Sequence, residues 1–221
     1  AIERRLAEIP GVRDAEATVA FDATHDDAGV DEPVIGRMIG LPAEGSSRLN
    51  RLVIRRGRAP EPGRAGEAVV SEGFAAARRL VPGDTVGALL NGRRETLSIV
   101  GIGLSPEYIF AASGGAFPDD RNFGVFWVDR ERLATAYDMD GAFNHATLRL
   151  APGASERAVV AALDALLEPW GGLDAHGRDE QLSHRILAQE ISQWKVTGTV
   201  IPTIFLVVAA FLLNVVLGRQ V

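Results

Sequence analysis

The distribution of hydrophobic and charged residues divides this chain into a long mixed part and a short apolar part. No charged side chain occurs between residues 196 and 218, a run of 23 residues. As an α-helix the run would be roughly 34 Å long, enough to cross a hydrocarbon core of about 30 Å. We therefore predict a transmembrane helix over residues 200–217. A buried core helix is the alternative, because the strictly apolar stretch covers only residues 204–213.

A second helical pattern lies directly before the apolar run. Its apolar residues recur at three- and four-residue steps typical of one helix face: Leu182, Ile186, Leu187, Ile191 and Trp194. Trp194 and Lys195 suit a membrane interface, where an aromatic ring and a flexible amine both reach the headgroups. No glycine or proline interrupts residues 182–196. We predict a stalk helix over residues 181–199 that starts near Asp179 or Glu180 and continues into the bilayer.

The preceding part of the chain alternates short strand patterns with helical ones. Asn91-Gly92 predicts a tight hairpin turn, since both residue types tolerate positive φ. The acidic residues 22–32 predict a loop. Strands are predicted at residues 12–21, 34–41, 52–56, 68–71, 85–90, 94–103, 123–128 and 146–150, and helices at residues 2–9, 72–80, 130–137 and between Ser155 and Pro169.

This order of elements predicts an α+β fold interrupted by a β-rich insertion. The α+β lobe would be discontinuous, formed by residues 1–51 and 122–180. Residues 52–104 would form an inserted small β-rich lobe, and residues 105–121 a connection between the two. Frequent glycine and proline residues distinguish the composition of the inserted segment from that of the flanking segments.

Composition excludes several classes of function. The net charge is −6, so the chain lacks the clustered positive charge that a nucleic-acid surface requires. There is no cysteine, which removes disulfides, thiolate metal sites and cysteine nucleophiles. No GxxxxGK[ST], GxSxG or HExxH motif occurs, and Gly101-Ile102-Gly103 lacks the third glycine of a dinucleotide fingerprint. We expect no enzyme activity, no catalytic residues and no cofactor.

The histidines and acidic residues offer only weak candidates for a metal site. His176 and His184 could meet across an ordered turn with Asp174 or Asp179, but a metal site is the less favoured interpretation. Oxygen ligands for calcium could come from the acidic loop around His25: Asp22, Asp26, Asp27 and Asp31. That loop lacks EF-hand spacing, so a solvated loop is preferred. Three aromatic residues, Tyr108, Phe110 and Phe117, form either an exposed contact surface or part of the core, and we favour the core.

Short motifs spread along the chain carry a resemblance to a known family. They are LAEIPGV (6–12), LNRL (49–52), RGR (56–58), EAVVSE (67–72), PGDT (82–85), IVGI (99–102), LSPEY (104–108), FPDD (117–120), FGV (123–125) and the apolar residues 205–217. In this order, the chain resembles the extracytoplasmic domain of an ABC transporter permease of the MacB/FtsX type, continuing into its second transmembrane helix.

The resemblance implies a two-lobed periplasmic domain in the bacterial inner membrane and a division of labour between subunits. A cytoplasmic ABC ATPase would hydrolyse ATP, and stalk helices would pass its motion to the periplasmic domain. Family substrates include lipids, lipoproteins, toxins and peptides, and some members regulate cell-wall hydrolases. Expected partners are the ATPase, the lipid bilayer, a second permease copy or repeat, and a periplasmic adaptor or substrate protein. We expect the chain to be part of a longer membrane protein.

Two further functions remain open at this stage. The ligand-binding domain of a membrane sensor also joins an outer domain to a transmembrane helix. It predicts a small-molecule pocket and a signalling module after residue 221. A soluble enzyme would require the uncharged run to be core.

Overall fold

The computed structural model describes residues 2–26, 34–42, 47–110, 119–172 and 175–218, apart from the side chains of residues 26, 182, 195, 196 and 214–218. These ranges contain nine strands and five α-helices, which confirms the predicted α+β class. The strands are β1 (Val12–Thr18), β2 (Ala20–Asp26), β3 (Val34–Leu41), β4 (Val53–Gly57), β5 (Glu67–Ser71), β6 (Thr85–Leu90), β7 (Arg93–Leu104), β8 (Phe123–Asp129) and β9 (His145–Leu150). The helices are α1 (Ile2–Ala7), α2 (Glu72–Arg78), α3 (Arg130–Ala136), α4 (Glu156–Leu167) and α5 (Leu182–Gly218).

Most strands belong to one sheet that closes on itself. Seven strands follow the order β4-β7-β5-β8-β3-β2-β6, and β6 also pairs with the first half of β7. Six strands therefore form a barrel, and β4 extends the sheet beyond β7. The seam between β2 and β6 contains only three residue pairs, whereas β2 and β3 share six and β3 and β8 share seven. The contact between β5 and β8 is equally short, with three pairs.

The two ends of the chain form a separate small sheet, in which β1 pairs antiparallel with β9. Residues up to Ser183 form one compact unit, and α5 from His184 onward forms another. The predicted division into two lobes is not confirmed, because strands from residues 52–104 share the barrel with β2, β3 and β8. Pairs such as Thr24 with Leu89 join residues far apart in sequence, and no local pattern indicates them.

Apolar side chains fill the inside of the barrel. Met38, Ile99 and Phe126 are fully buried there. Burying side chains of this size contributes about 1.5 to 3 kcal/mol each. Phe74 of α2 meets the Phe126 ring edge-on, with 5.5 Å between centroids. A second apolar cluster, which includes Val69 and Trp127, covers the other face of the central strands.

The hairpin turn between β6 and β7 was predicted correctly from its residue types, whereas the acidic part of β2 was not recognised as a strand. Asn91 and Gly92 have φ of 46° and 78° in the turn between β6 and β7, so the predicted hairpin is confirmed. The prediction of a loop beginning at residue 22 was wrong, because β2 continues to Asp26. Its buried positions are Ala23 and His25, and Asp22 alternates with them on the exposed outer face.

The last two α-helices follow the predicted patterns. The Ser155 hydroxyl accepts a hydrogen bond from the Ala158 amide at 3.4 Å and caps α4. Helix α5 starts at Leu182 rather than at residue 179 or 180, because residues Arg178–Glu180 form a 3₁₀ turn and Gln181 is extended. From Leu182 the helix continues through Pro202 to Gly218, as predicted.

Candidate functional site

Helix α5 is apolar and exposed along much of its length. Among the described residues it is long and apolar enough to cross a membrane, with a mean hydropathy of 2.3 in its most apolar window. Phe205 and Leu206 are each 71% exposed, and Phe211 is 66% exposed. A core helix would bury such side chains, so these exposures disfavour the core-helix alternative. A large continuous apolar surface requires a partner or a bilayer to cover it.

The root of α5 is fixed to the 3₁₀ turn Pro106–Tyr108, which follows β7. The buried Ser183 hydroxyl lies 2.8 Å from the Glu107 carbonyl oxygen and 3.0 Å from that of Phe110. It also accepts a hydrogen bond from the Phe110 amide at 3.3 Å. The Gln181 amide nitrogen donates to the same Glu107 carbonyl at 3.2 Å. These bonds lie on both sides of the first residue of α5 and tie the start of the helix to the turn.

The side chain of Glu107 contacts residues from two other segments of the domain. Its carboxylate accepts a hydrogen bond from the Asn50 side-chain amide at 2.8 Å and lies 3.0 Å from His145 Nε2 in β9. Burial by itself would raise the pKa of the Glu107 carboxyl, but the contacts with His145 and Asn50 outweigh it and hold the pKa below its usual value. The carboxylate therefore stays ionised and is a strong acceptor for both partners.

The same turn packs against the barrel through Tyr108. The Tyr108 ring meets Trp127 of β8 edge-on, with 6.3 Å between centroids. Burial and the neighbouring Glu107 carboxylate raise the pKa of the Tyr108 hydroxyl, and Arg37 of β3 opposes that shift. Arg37 is held in turn by both carboxylate oxygens of Asp22, at 2.6 and 2.9 Å. Tyr108 therefore belongs to the core rather than to an exposed contact surface, as favoured from the sequence.

A loop before β4 completes the connection to the small sheet. The Glu16 carboxylate of β1 accepts hydrogen bonds from the backbone amides of Arg48 and Leu49, each at 2.8 Å. The buried Ser105 hydroxyl donates to the Asn50 carbonyl at 3.0 Å. We call Asn50, Glu107, His145, Gln181 and Ser183 the Glu107 junction. It joins the root of α5 to β9 and to the loop that β1 holds.

Sequence reasoning missed this junction. Residues 105–121 were predicted to be only a connection. One local signal was present: Ser105 before Pro106 is a typical start of a helical turn, and its hydroxyl accepts from the Glu107 amide at 3.4 Å. The contacts to Gln181 and Ser183 span more than 70 residues of chain, and nothing in the sequence indicates them.

The weak metal candidates are not assembled in the described part of the chain. No group of three histidine or acidic side chains suited to a metal ion occurs there. His25 is buried in the barrel and Asp22 is paired with Arg37, so these two do not form an open calcium loop. Asp27, Asp31, Phe117 and Asp174 lie outside the described residues.

An open groove of about 350 Å³ lies between the start of β5, the turn before β6 and the middle of β7. Arg58 and Arg64 line it, but both already bind the carboxylate of Glu67. Hydrogen bonding from Arg58 lowers the pKa of the Glu67 carboxyl to about 2, against the effect of its burial. The charges of this groove therefore satisfy one another, which makes it a poor match for the ligand pocket of a sensor.

The known proteins that this chain matches are solved structures. No protein-family model and no curated protein matches the chain. The chain is similar to the extracellular domain of the noncanonic ABC-type transporter YknZ from Gram-positive bacteria, at 15% identity and a TM-score of 0.48, over 79% of this chain and 84% of that one. It is also similar to the periplasmic region of MacB from Actinobacillus actinomycetemcomitans, at 12% identity and a TM-score of 0.41, over 75% and 72%.

With TM-scores below 0.5, this likeness says nothing about mechanism, which has to come from the chain's own residues. The sequence motifs predicted a resemblance to extracytoplasmic domains of MacB-type ABC transporter permeases, and these two structures are domains of such transporters.

Proposed function

We propose that this chain is the extracytoplasmic part of an ABC transporter permease, that α5 crosses the bacterial inner membrane, and that the Glu107 junction transmits the movement of α5 to the domain. The observation that carries the proposal is a single uninterrupted helix, Leu182–Gly218, whose apolar part is exposed and whose first turn is hydrogen-bonded into the domain. The part of the helix before Pro202 would move as a rod, so a displacement at the membrane would reach the junction without being lost in a flexible linker.

The proposal assigns the chemical work to other subunits. A cytoplasmic ABC ATPase would supply the motion, and two copies or repeats of the domain would respond to it. The substrate would be of the lipid, lipoprotein or peptide class, with an adaptor or substrate protein on the outer side. A membrane sensor remains the second candidate because it shares the outer domain and the helix, but the paired charges of the groove favour it less.

Nucleotide-dependent movement is the direct test. The chain has no native cysteine, so a single Thr96→Cys substitution on the exposed side of β7 permits specific spin labelling. We expect the distance between labels on the two copies to change when the complete permease, in nanodiscs with the ABC ATPase that co-purifies with it, is trapped with ADP and vanadate. ADP alone is the control. An identical distance distribution in both states would refute the transmission proposal.

Removing the Glu107 carboxylate should weaken transmission. In Glu107→Ala, Asn50 and His145 lose their acceptor, so we expect the free energy of unfolding to fall by about 2 kcal/mol. The vanadate-induced change in label distance should shrink, because β9 is no longer tied to the turn. ATP hydrolysis should persist.

The matched control is Glu72→Gln, which removes an exposed ion pair with Arg55 at 3.6 Å. It should alter stability by less than about 0.5 kcal/mol and leave the distance change intact. A Glu107→Ala variant that retains the full distance change would show that the junction does not carry the movement.

A further inference from the structure

His25 occupies the middle of the strand seam that closes the barrel. The seam consists of three residue pairs between β2 and β6: Thr24 with Leu89, His25 with Ala88, and Asp26 with Gly87. The His25 side chain is only 1% exposed. Its ring stacks on Phe126 of β8, with 4.1 Å between centroids and 16° between planes. A polar, titratable ring therefore lies in the apolar interior at a strand contact of only three residue pairs.

Neither ring nitrogen of His25 has a hydrogen-bond partner among the described residues. The Gly87 backbone lies near the ring, but no atom there meets hydrogen-bond geometry with it. Space for the ring is provided by Gly36 of β3, because a Cβ at that position would lie 2.3 Å from His25 Nε2. The ring is thus accommodated mainly by shape, and the Gly87 backbone offsets only part of the cost of burying it, so full hydrogen bonding of both nitrogens requires water.

The strands around His25 present no compensating charge to it. The charged residues of β2 and β3 whose side chains the structure describes are Asp22 and Arg37, which bind each other on the outer face. Strand β6 contains no charged residue, and the one charged residue of β8, Asp129, caps α3 at the strand's end. A protonated His25 would be an unpaired buried cation, which proteins avoid by moving the group or losing the proton.

We propose that the seam between β2 and β6 is an acid-opened closure of the barrel and that His25 is its trigger. When the ring takes up a proton, the three residue pairs of the seam separate and water reaches the imidazolium. The β6–β7 hairpin keeps its six residue pairs, and β2 keeps its six pairs with β3, so the opening is confined to the seam. Apolar barrel surface would then be exposed only in acid. This inference is independent of the proposed transport function.

The direction of the effect follows from linkage. Burial lowers the pKa of His25 from 6.5 to about 4 in the closed barrel, and exposure to water in the open seam removes that shift. The closed seam is therefore fully stabilised above about pH 6.5 and loses stability as the pH falls toward 4. Relative to pH 7.5, the ratio of open to closed seam should rise roughly 30-fold at pH 5.0 and approach roughly 300-fold below pH 4.

Hydrogen exchange of the full chain in detergent micelles tests the proposal. After correction for the intrinsic exchange rate, peptides covering β2 and β6 should lose roughly 30-fold in protection between pH 7.5 and pH 5.0. Peptides covering β8 should lose none. In His25→Leu, the pH dependence of the seam should disappear, whereas it should persist in the control His176→Gln, which replaces an exposed histidine.

Three results would overturn the proposal: a change in seam protection of less than about threefold, an equal loss in β8, or a dependence on pH that survives in His25→Leu. If the leucine variant does not fold, the comparison of seam and β8 peptides in the natural chain decides the matter by itself.

Discussion

A chain with arginine in place of both Val208 and Phe211 is expected to fail to insert into a bilayer. These residues lie near the middle of the uncharged run and are 49% and 66% exposed on α5. The thirteen valine, isoleucine, leucine and phenylalanine residues between positions 200 and 217 favour insertion by roughly 4 to 8 kcal/mol in total. Each arginine near the helix centre opposes it by about 2.5 to 3.5 kcal/mol, so two of them cancel most or all of that preference.

The measurement is the inserted fraction of the full chain in a glycosylation-mapping or protease-protection assay. The matched control carries leucine at both positions and should insert like the natural chain. A double-arginine chain that inserts normally would contradict the assignment of α5 as a membrane span. Solubility of the natural chain without detergent would also contradict this assignment and would favour the core-helix alternative instead.

Replacing Gly36 by alanine is expected to destabilise the domain by about 3 kcal/mol, at the upper end of the range for an overpacked core. The added Cβ would lie 2.3 Å from His25 Nε2, 2.4 Å from His25 Cδ2 and 2.8 Å from the Phe126 ring. Neither ring can retreat easily, because both are fully buried and stacked on each other. The measurement is the free energy of unfolding of the full chain in detergent.

A second substitution distinguishes this clash from a general intolerance of alanine in β3. His25→Ala removes the ring that the new Cβ would meet, so Gly36→Ala should cost less than about 1 kcal/mol in that background. The difference between the two backgrounds is a coupling energy of about 2 to 3 kcal/mol, which is typical of residues in direct contact. If the effects of the two substitutions on the free energy of unfolding were additive, contact with His25 would not be the reason that residue 36 must be glycine.

The proposed transmission has a simple geometry. From Leu182 to the start of the uncharged run the helix covers fourteen residues, or roughly 20 Å. The Glu107 junction therefore holds the outer end of a rod whose inner end would enter the bilayer. Hydrogen bonds to Ser183 hold that end, and the Glu107 carboxylate connects it to His145 of β9. In the proposed mechanism, a small displacement of the helix would reach Glu107 and His145.

Some features of this protein are determined by the sequence itself, because neighbouring residues cause them. The apolar run and the stripe before it predicted one uninterrupted helix, and the structure has it from Leu182 to Gly218. Asn91-Gly92 predicted a hairpin because the backbone of those residue types tolerates positive φ. The motifs in their order indicated the type of domain, since such short patterns are read along the chain without knowledge of its contacts.

Other features were decided only by tertiary structure. The barrel closes through Thr24 and Leu89, which are separated by more than 60 residues, and the acidic residues of β2 gave that strand the composition of a loop. The buried His25 depends on the missing side chain at Gly36, and the anchoring of α5 depends on Glu107 meeting Ser183. Periodicity reports which face of an element is buried, but it does not identify the partner against which that face packs. That partner is selected by the fit of the whole fold.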